Sequence, residues 1–69
     1  MFGLFLKLCR EKEKMTQEEL ADRLGVTQKT VSVWEKGNNL PHTRTMIAIA
    51  EVFGLEEEKL FKYYFEENR

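Results

Sequence analysis

Between Thr16 and Gly37 the chain reads TQEELADRLGVTQKTVSVWEKG, and this stretch carries two complete sets of helix punctuation. Thr16 followed three residues later by Glu19 predicts a capping box, in which each side chain takes the other's backbone N–H. Met15 and Leu20 flank that cap at the spacing of a hydrophobic staple. Leu20, Ala21 and Leu24 then share one face, and Gly25 supplies a stop that accepts a left-handed backbone without a Cβ penalty. The pattern restarts at once. Thr27 is a second N-cap, Val26 and Val31 repeat the staple spacing, Val31 and Trp34 point inward at i, i+3, and Gly37 ends the helix. Two short helices joined by a tight turn follow, the arrangement of a helix-turn-helix over residues 16–37. Fixing the inward residues leaves Gln28, Lys29, Ser32, Val33 and Lys36 as the outward face of the second helix.

The flanks are helical too. A first helix is expected from about Phe2 to Lys14, with Leu6, Cys9, Phe2 and Phe5 on one side and Lys7, Glu11 and Lys14 on the other. Leu8 falls off that stripe and reads as a surface residue. After the loop Asn38-Asn39-Leu40-Pro41, a fourth helix is expected from His42 or Thr43 to Phe53. Its apolar face is Met46, Ile47, Ile49, Ala50 and Phe53, and Gly54 ends it. A fifth spans about Glu56 to Glu66, with Leu60, Phe61, Tyr64 and Phe65 apolar and glutamates at the positive end of the helix dipole. No window alternates with period two, so the expected class is all-α. With 69 residues the chain is read as one domain, residues 1–69. A chain this short buries only about 60% of its unfolded surface, so each helix must contribute to one core.

Composition narrows the function. Cys9 is the single cysteine and His42 the single histidine, which leaves no internal disulfide and no zinc-spaced cluster, so no metal and no cofactor are expected. A reducing, cytoplasmic setting is the default reading. The opening MFGLFL is too short for a signal-peptide core, and nothing approaches the run of about 20 apolar residues that spans a membrane. No nucleophile–base set or phosphate loop is present, so an enzyme is not expected. The net charge of −1 argues mildly against nucleic acid. Its distribution softens that argument: residues 1–14 carry four Lys/Arg against two Glu, residues 15–50 four charges of each sign, and residues 51–69 three Lys/Arg against six Glu. The acidity sits in the tail.

The outward face of the second helix suits a DNA major groove, which is about 12 Å wide. Gln28 can bond adenine N6 and N7, Lys29 can donate to guanine O6 and N7, Ser32 can bond a base or a phosphate, and Val33 can meet a thymine methyl. Gln17, at the first position of the preceding helix, can hold a phosphate together with the helix-end N–H groups. Thr27, Lys36, Asn38, Asn39 and Arg44 flank the groove-facing helix as further backbone contacts.

TQEELADRLGVTQKTVSVWEKGNNLP resembles the Cro/C1-type phage repressor (Xre-type) helix-turn-helix family, whose repressor and Cro members are standard examples of helix-turn-helix docking. The resemblance covers about residues 5 to 62. TQEELA, the Gly25-Val26 turn, the Thr27 cap, V-S-x-W-E-x-G, Pro41, the end of the fourth helix and the leucine–aromatic pair of the fifth all take part. It implies a five-helix, lambda-repressor-like domain with the third helix reading DNA. It also implies phosphate contact by Gln17, base contact by Gln28, Lys29 and Val33, and an ion pair between Arg10 and Glu35. The sequence departs from the family in three places. Asn38-Asn39 replaces the usual Lys or Arg, His42-Thr43 replaces a serine cap and an apolar residue, and Glu57 takes a usually apolar slot.

The expected function is sequence-specific binding of double-stranded DNA by a homodimer that regulates transcription, as a repressor, on a near-palindromic operator. Aromatic residues in excess of a minimal domain mark residues 56–69 as the dimerisation segment, through Phe61, Tyr64 and Phe65. The alternative reading is a protein-interaction module, such as the antitoxin of a toxin pair, which the acidic tail also suits.

Overall fold

The computed structural model of the chain describes residues 1–67, and the side chains of residues 1–65. It contains α1 (Phe2–Lys12), α2 (Gln17–Leu24), α3 (Gln28–Glu35), α4 (Thr43–Phe53) and α5 (Glu57–Glu67). No strand occurs among the described residues, so the class is all-α.

Local chemistry sets the boundaries. Thr16 Oγ1 accepts the Glu19 N–H at 3.0 Å, and Glu19 Oε1 accepts the Thr16 N–H at 2.9 Å, closing the capping box. The Thr16 backbone N–H, helped by the Thr16 side chain, holds the Glu19 carboxyl below its ordinary value. At Gly25 the backbone turns to φ +70°, where a Cβ would be strained, and the Val26 N–H returns to the Ala21 carbonyl at 3.0 Å. Thr27 Oγ1 then accepts the Thr30 N–H at 3.2 Å and starts α3. α4 has a weaker start, since His42 Nδ1 accepts the Arg44 N–H at 3.4 Å.

Three boundaries differ from the sequence reading. α1 ends at Lys12 rather than Lys14, because Lys14 itself adopts φ +55°. Lys14 N–H bonds the Glu11 carbonyl at 2.9 Å and Met15 N–H the Arg10 carbonyl at 3.0 Å. That is a Schellman ending with lysine where glycine is usual. α5 begins at Glu57 rather than Glu56 and ends at Glu67 rather than Glu66.

All five helices contribute to one core: Phe2 and Leu6 of α1, Leu20 and Ala21 of α2, Val31 and Trp34 of α3, Met46, Ile49 and Ala50 of α4, and Leu60 of α5. Each fully buried large side chain contributes about 1.5–3 kcal/mol relative to exposure. Met15 and Val26, the outer halves of the two staples, pack half-buried against this cluster. Ile47 corrects the sequence reading. Expected on the apolar face of α4, it is 42% exposed. The inward line of α4 runs Met46–Ile49–Ala50–Phe53, and Ile47 lies about 160° around the helix from Ile49. Val52, not singled out from the sequence, is half-buried and packs on the core. Leu8 is exposed as expected, and Leu4 joins it at the surface.

α3 is packed against α2 and α1, whereas α5 packs against α4 and α1. α3 and α5 therefore lie on different parts of the body, with α1 touching both.

Candidate nucleic-acid interface

α3 has eight residues, which at 1.5 Å per residue is about 12 Å of helix. Its inward side is Val31, Trp34 and Glu35, all buried. Gln28 and Lys29 are exposed, and Ser32 and Val33 are half-exposed at the edges of the same outward face. The structure thus brings the four expected base-contact residues onto one short helix with its other side fixed to the core.

The fixing is unusually polar. Glu35 is buried, and its Oε2 accepts Arg10 Nε–H at 2.7 Å while its Oε1 accepts Arg10 Nη2–H at 3.0 Å. Gln17 Nε2 donates to the same Oε1 at 3.1 Å. Arg10 Nη1 reaches on to the Met15 carbonyl at 2.8 Å. One carboxylate therefore takes three N–H groups from two helices, and the guanidinium that supplies two of them also holds the turn leading into α2. The hydrogen bond to Glu35 holds Arg10 protonated above even its ordinary range. A buried charge is costly unless paired and fully hydrogen-bonded, and here it is both. No buried side-chain N or O among the described residues lacks a partner.

Gln17 sits at the first residue of α2, as expected for a phosphate contact, but it directs one amide N–H inward to Glu35. A phosphate there would take its second amide N–H or the helix-end backbone N–H groups. No local sequence pattern announces this tether, because Gln17 and Glu35 are 18 residues apart. Lys36, Asn38 and Asn39 are exposed just beyond α3, and Arg44 is exposed in the first turn of α4. Asn39 Oδ1 is turned back to its own loop, accepting the Leu40 N–H at 2.9 Å. The Thr27 hydroxyl lies 3.0 Å from that of Thr30 as well as capping α3.

The expected dimer residues lie on α5, away from this face. Phe61 and Tyr64 are half-buried and pack on the core, whereas Phe65 is 60% exposed. The part of the 56–69 segment beyond Glu67 lies outside the described residues. Cys9 is half-buried in a cleft of about 90 Å³ lined by Lys12, Glu13, Phe53 and Leu55. Burial pushes its thiol pKa up, which disfavours the reactive thiolate. No group of three or more His, Cys, Asp or Glu among the described residues is placed to hold a metal. No helix among them is long and apolar enough to cross a membrane.

The profile of the helix-turn-helix family matches residues 6–60. Among curated proteins, the chain is 36% identical over 62 residues to YqaE of Bacillus subtilis, an uncharacterized HTH-type transcriptional regulator; the match covers 90% of this chain and 53% of YqaE. An uncharacterized HTH-type transcriptional regulator of Archaeoglobus fulgidus is 42% identical over 62 residues, covering 90% of this chain and 87% of that protein. BcrR of Enterococcus faecalis, named an HTH-type transcriptional activator, is 31% identical over 59 residues, covering 86% of this chain and 29% of BcrR. The chain thus spans about half of YqaE but most of the archaeal relative. No solved structure is a significant match. The chain belongs to the Xre-type helix-turn-helix family, whose members are DNA-binding regulators of transcription.

Proposed function

We propose that this chain, a single domain over residues 1–69, binds a specific duplex as a symmetric homodimer and represses transcription by occluding polymerase. The observation that carries the reading is the polarity of α3. Its buried side is anchored by Val31, Trp34 and the saturated Glu35, while Gln28, Lys29, Ser32 and Val33 share its open side. In this reading those four meet base edges, and Gln17, Thr27, Lys36, Asn38, Asn39 and Arg44 meet phosphates. A homodimer would place two copies of α3 in successive major grooves about 34 Å apart. A protomer measuring 29 × 24 × 20 Å allows that spacing when two copies sit side by side. Phe65, with Phe61 and Tyr64 beneath it, supplies the apolar contact on α5. The thin positive charge around α3 makes pairing of two protomers important for affinity.

Selection of bound sites from a random duplex library, followed by fluorescence polarisation at ~100 mM salt, tests the reading. The selected site should bind well above random DNA. Gln28→Ala should cost about 1–3 kcal/mol at that site and relax one base preference, whereas Arg44→Ala should weaken all sites alike. No preference over random DNA would refute the proposal. A reporter driven from the selected site reads the sign of regulation, which the family leaves open because BcrR is named an activator.

A further inference from the structure

α1 meets α3 through Gly3 and Arg10, which share a face with the core residue Leu6 at i, i+7 and i+3. Gly3 is buried, and its neighbours are unusual. A Cβ at this position would stand 2.5 Å from the Trp34 carbonyl oxygen, 2.7 Å from that of Glu35 and 3.0 Å from the Glu35 carbonyl carbon. All three atoms are backbone of the last turn of α3, so no side chain can rotate aside. The first distance is about 0.8 Å short of an ordinary C···O approach of 3.3 Å. A methyl group here is accommodated only by moving one helix against the other.

α3 cannot simply translate in response. Val31 and Trp34 are in the core, and Glu35 is tied to Arg10 and Gln17. Trp34 and Glu35 are themselves the residues pushed, while Val31, one turn nearer the N-terminus, is held in the core, so a push on this end of a helix about 12 Å long tilts it. The opposite end then moves by a similar amount, and that end carries Gln28 and Lys29. Recognition contacts hold only within about 0.5 Å of their productive geometry.

The geometry points to Gly3 as a positioning residue for base recognition: its missing side chain seats α1 directly on the last turn of α3 and so sets the tilt at which α3 meets the bases. Gly3 touches no DNA in this arrangement. The inference rests on α3 being the base-reading helix.

The test compares Gly3→Ala with Leu6→Val, which thins the core beside Gly3 without pressing on α3. Each is measured for binding to the selected duplex and to a scrambled one across a salt series. Residual dipolar couplings of the free proteins report the direction of α3 relative to α2 and α4. Gly3→Ala should tilt α3 and lower the selected-to-scrambled affinity ratio about tenfold, the size of one lost base contact, with the salt slope unchanged. Leu6→Val should leave both direction and ratio near wild type. An unmoved α3, or a ratio lowered equally in both variants, overturns the inference. If Gly3→Ala does not fold in buffer, it is measured in trimethylamine N-oxide, which favours the compact state. A chain still unfolded there assigns Gly3 to folding alone and also overturns it. If wild type itself does not discriminate between the duplexes, base reading by α3 fails and the recognition role of Gly3 falls with it. The couplings would then still report whether the seam sets the tilt.

Discussion

The last turn of α3 is held by a carboxylate whose two oxygens take N–H groups from Arg10 and Gln17, whereas α5 is held by the buried Leu60 and by a ring stacked on α1. Tyr63 stacks on Phe5 of α1 with centroids 4.4 Å apart and planes 15° from parallel. Phe61 meets Tyr64 and Phe65 at 6.0 and 5.9 Å, contacts within α5 itself. The two seams do different work. A hydrogen-bonded carboxylate has one good geometry, so the α3 end has one good orientation. Aromatic pairs supply area and are favourable over a broad range of centroid distances, about 4.5–7 Å, so they leave more latitude than a hydrogen bond does. The helix proposed to present side chains to DNA is held by the first kind of contact, and the helix proposed to dock on a second copy by the more forgiving kind.

The largest effect should separate the seams by substitution type. Glu35→Ala leaves Arg10 charged and unpaired at 12% side-chain exposure, and should cost about 3–5 kcal/mol in urea denaturation. Glu35→Gln keeps the volume but removes the charge that Arg10 requires, so it should remain costly. On the α5 side, Leu60→Ala should lose about 2–5 kcal/mol through its cavity, yet Leu60→Met should lose under about 1.5. If Glu35→Gln proves as mild as Leu60→Met, the polar seam is not selective for geometry and the contrast collapses.

What could be read from the sequence follows the same division. Thr16, Glu19, Gly25, Thr27, Val31 and Trp34 were legible because each acts on neighbours within five positions, where helical spacing alone determines the contact. The face of α3 was legible for the same reason, by subtraction of its inward residues. The Gln17–Glu35 bond and the seat of Gly3 on α3 join residues far apart in the chain, and no local pattern announces them. Ile47 misled because residue type does not dictate burial: apolar side chains at the surface are ordinary. Lys14 misled because the left-handed position that ends α1 carries none of the glycine that marks it elsewhere.

The helix starts allow a finer comparison. Thr16→Ala should cost about 1 kcal/mol, since it removes the 3.0 Å bond that Thr16 Oγ1 accepts and leaves of the box only the 2.9 Å bond from the residue 16 backbone N–H to Glu19. Thr27→Ala should cost slightly less, because its cap bond is longer, 3.2 Å. His42→Ala should cost least, with a 3.4 Å bond to lose. Thermal melts of the three variants rank them, and a His42→Ala loss equal to that of Thr16→Ala would contradict the ranking.

At the aromatic seam, Tyr63→Leu keeps apolar bulk and removes the stack on Phe5, so it should lose about 0.5–1.5 kcal/mol. Its DNA discrimination should be unchanged, because the force that directs α3 passes through Gly3 and Arg10 rather than Phe5. A loss of base preference in Tyr63→Leu would show that the two seams are coupled through α1.

The smallest effect is a dependence on pH at the exposed capping box. Glu19 is a carboxylate held below its ordinary value by the Thr16 backbone N–H, so the folded state binds its proton less readily than the unfolded state does. Its contribution is therefore complete above the unfolded value of about 4.3 and is lost as pH falls through the lower folded value. Glu19→Gln removes that dependence. Stability of wild type minus Glu19→Gln, measured by urea denaturation from pH 7 downward, should stay level to about pH 4.3 and then shrink. Because the group is open to solvent, the difference should also shrink with added salt, whereas the cost of Glu35→Gln, with its partner buried, should barely respond. Equal salt sensitivity at the two glutamates would mean that the α1–α3 seam is no better shielded than the surface, and that the orientation of α3 is not held by it.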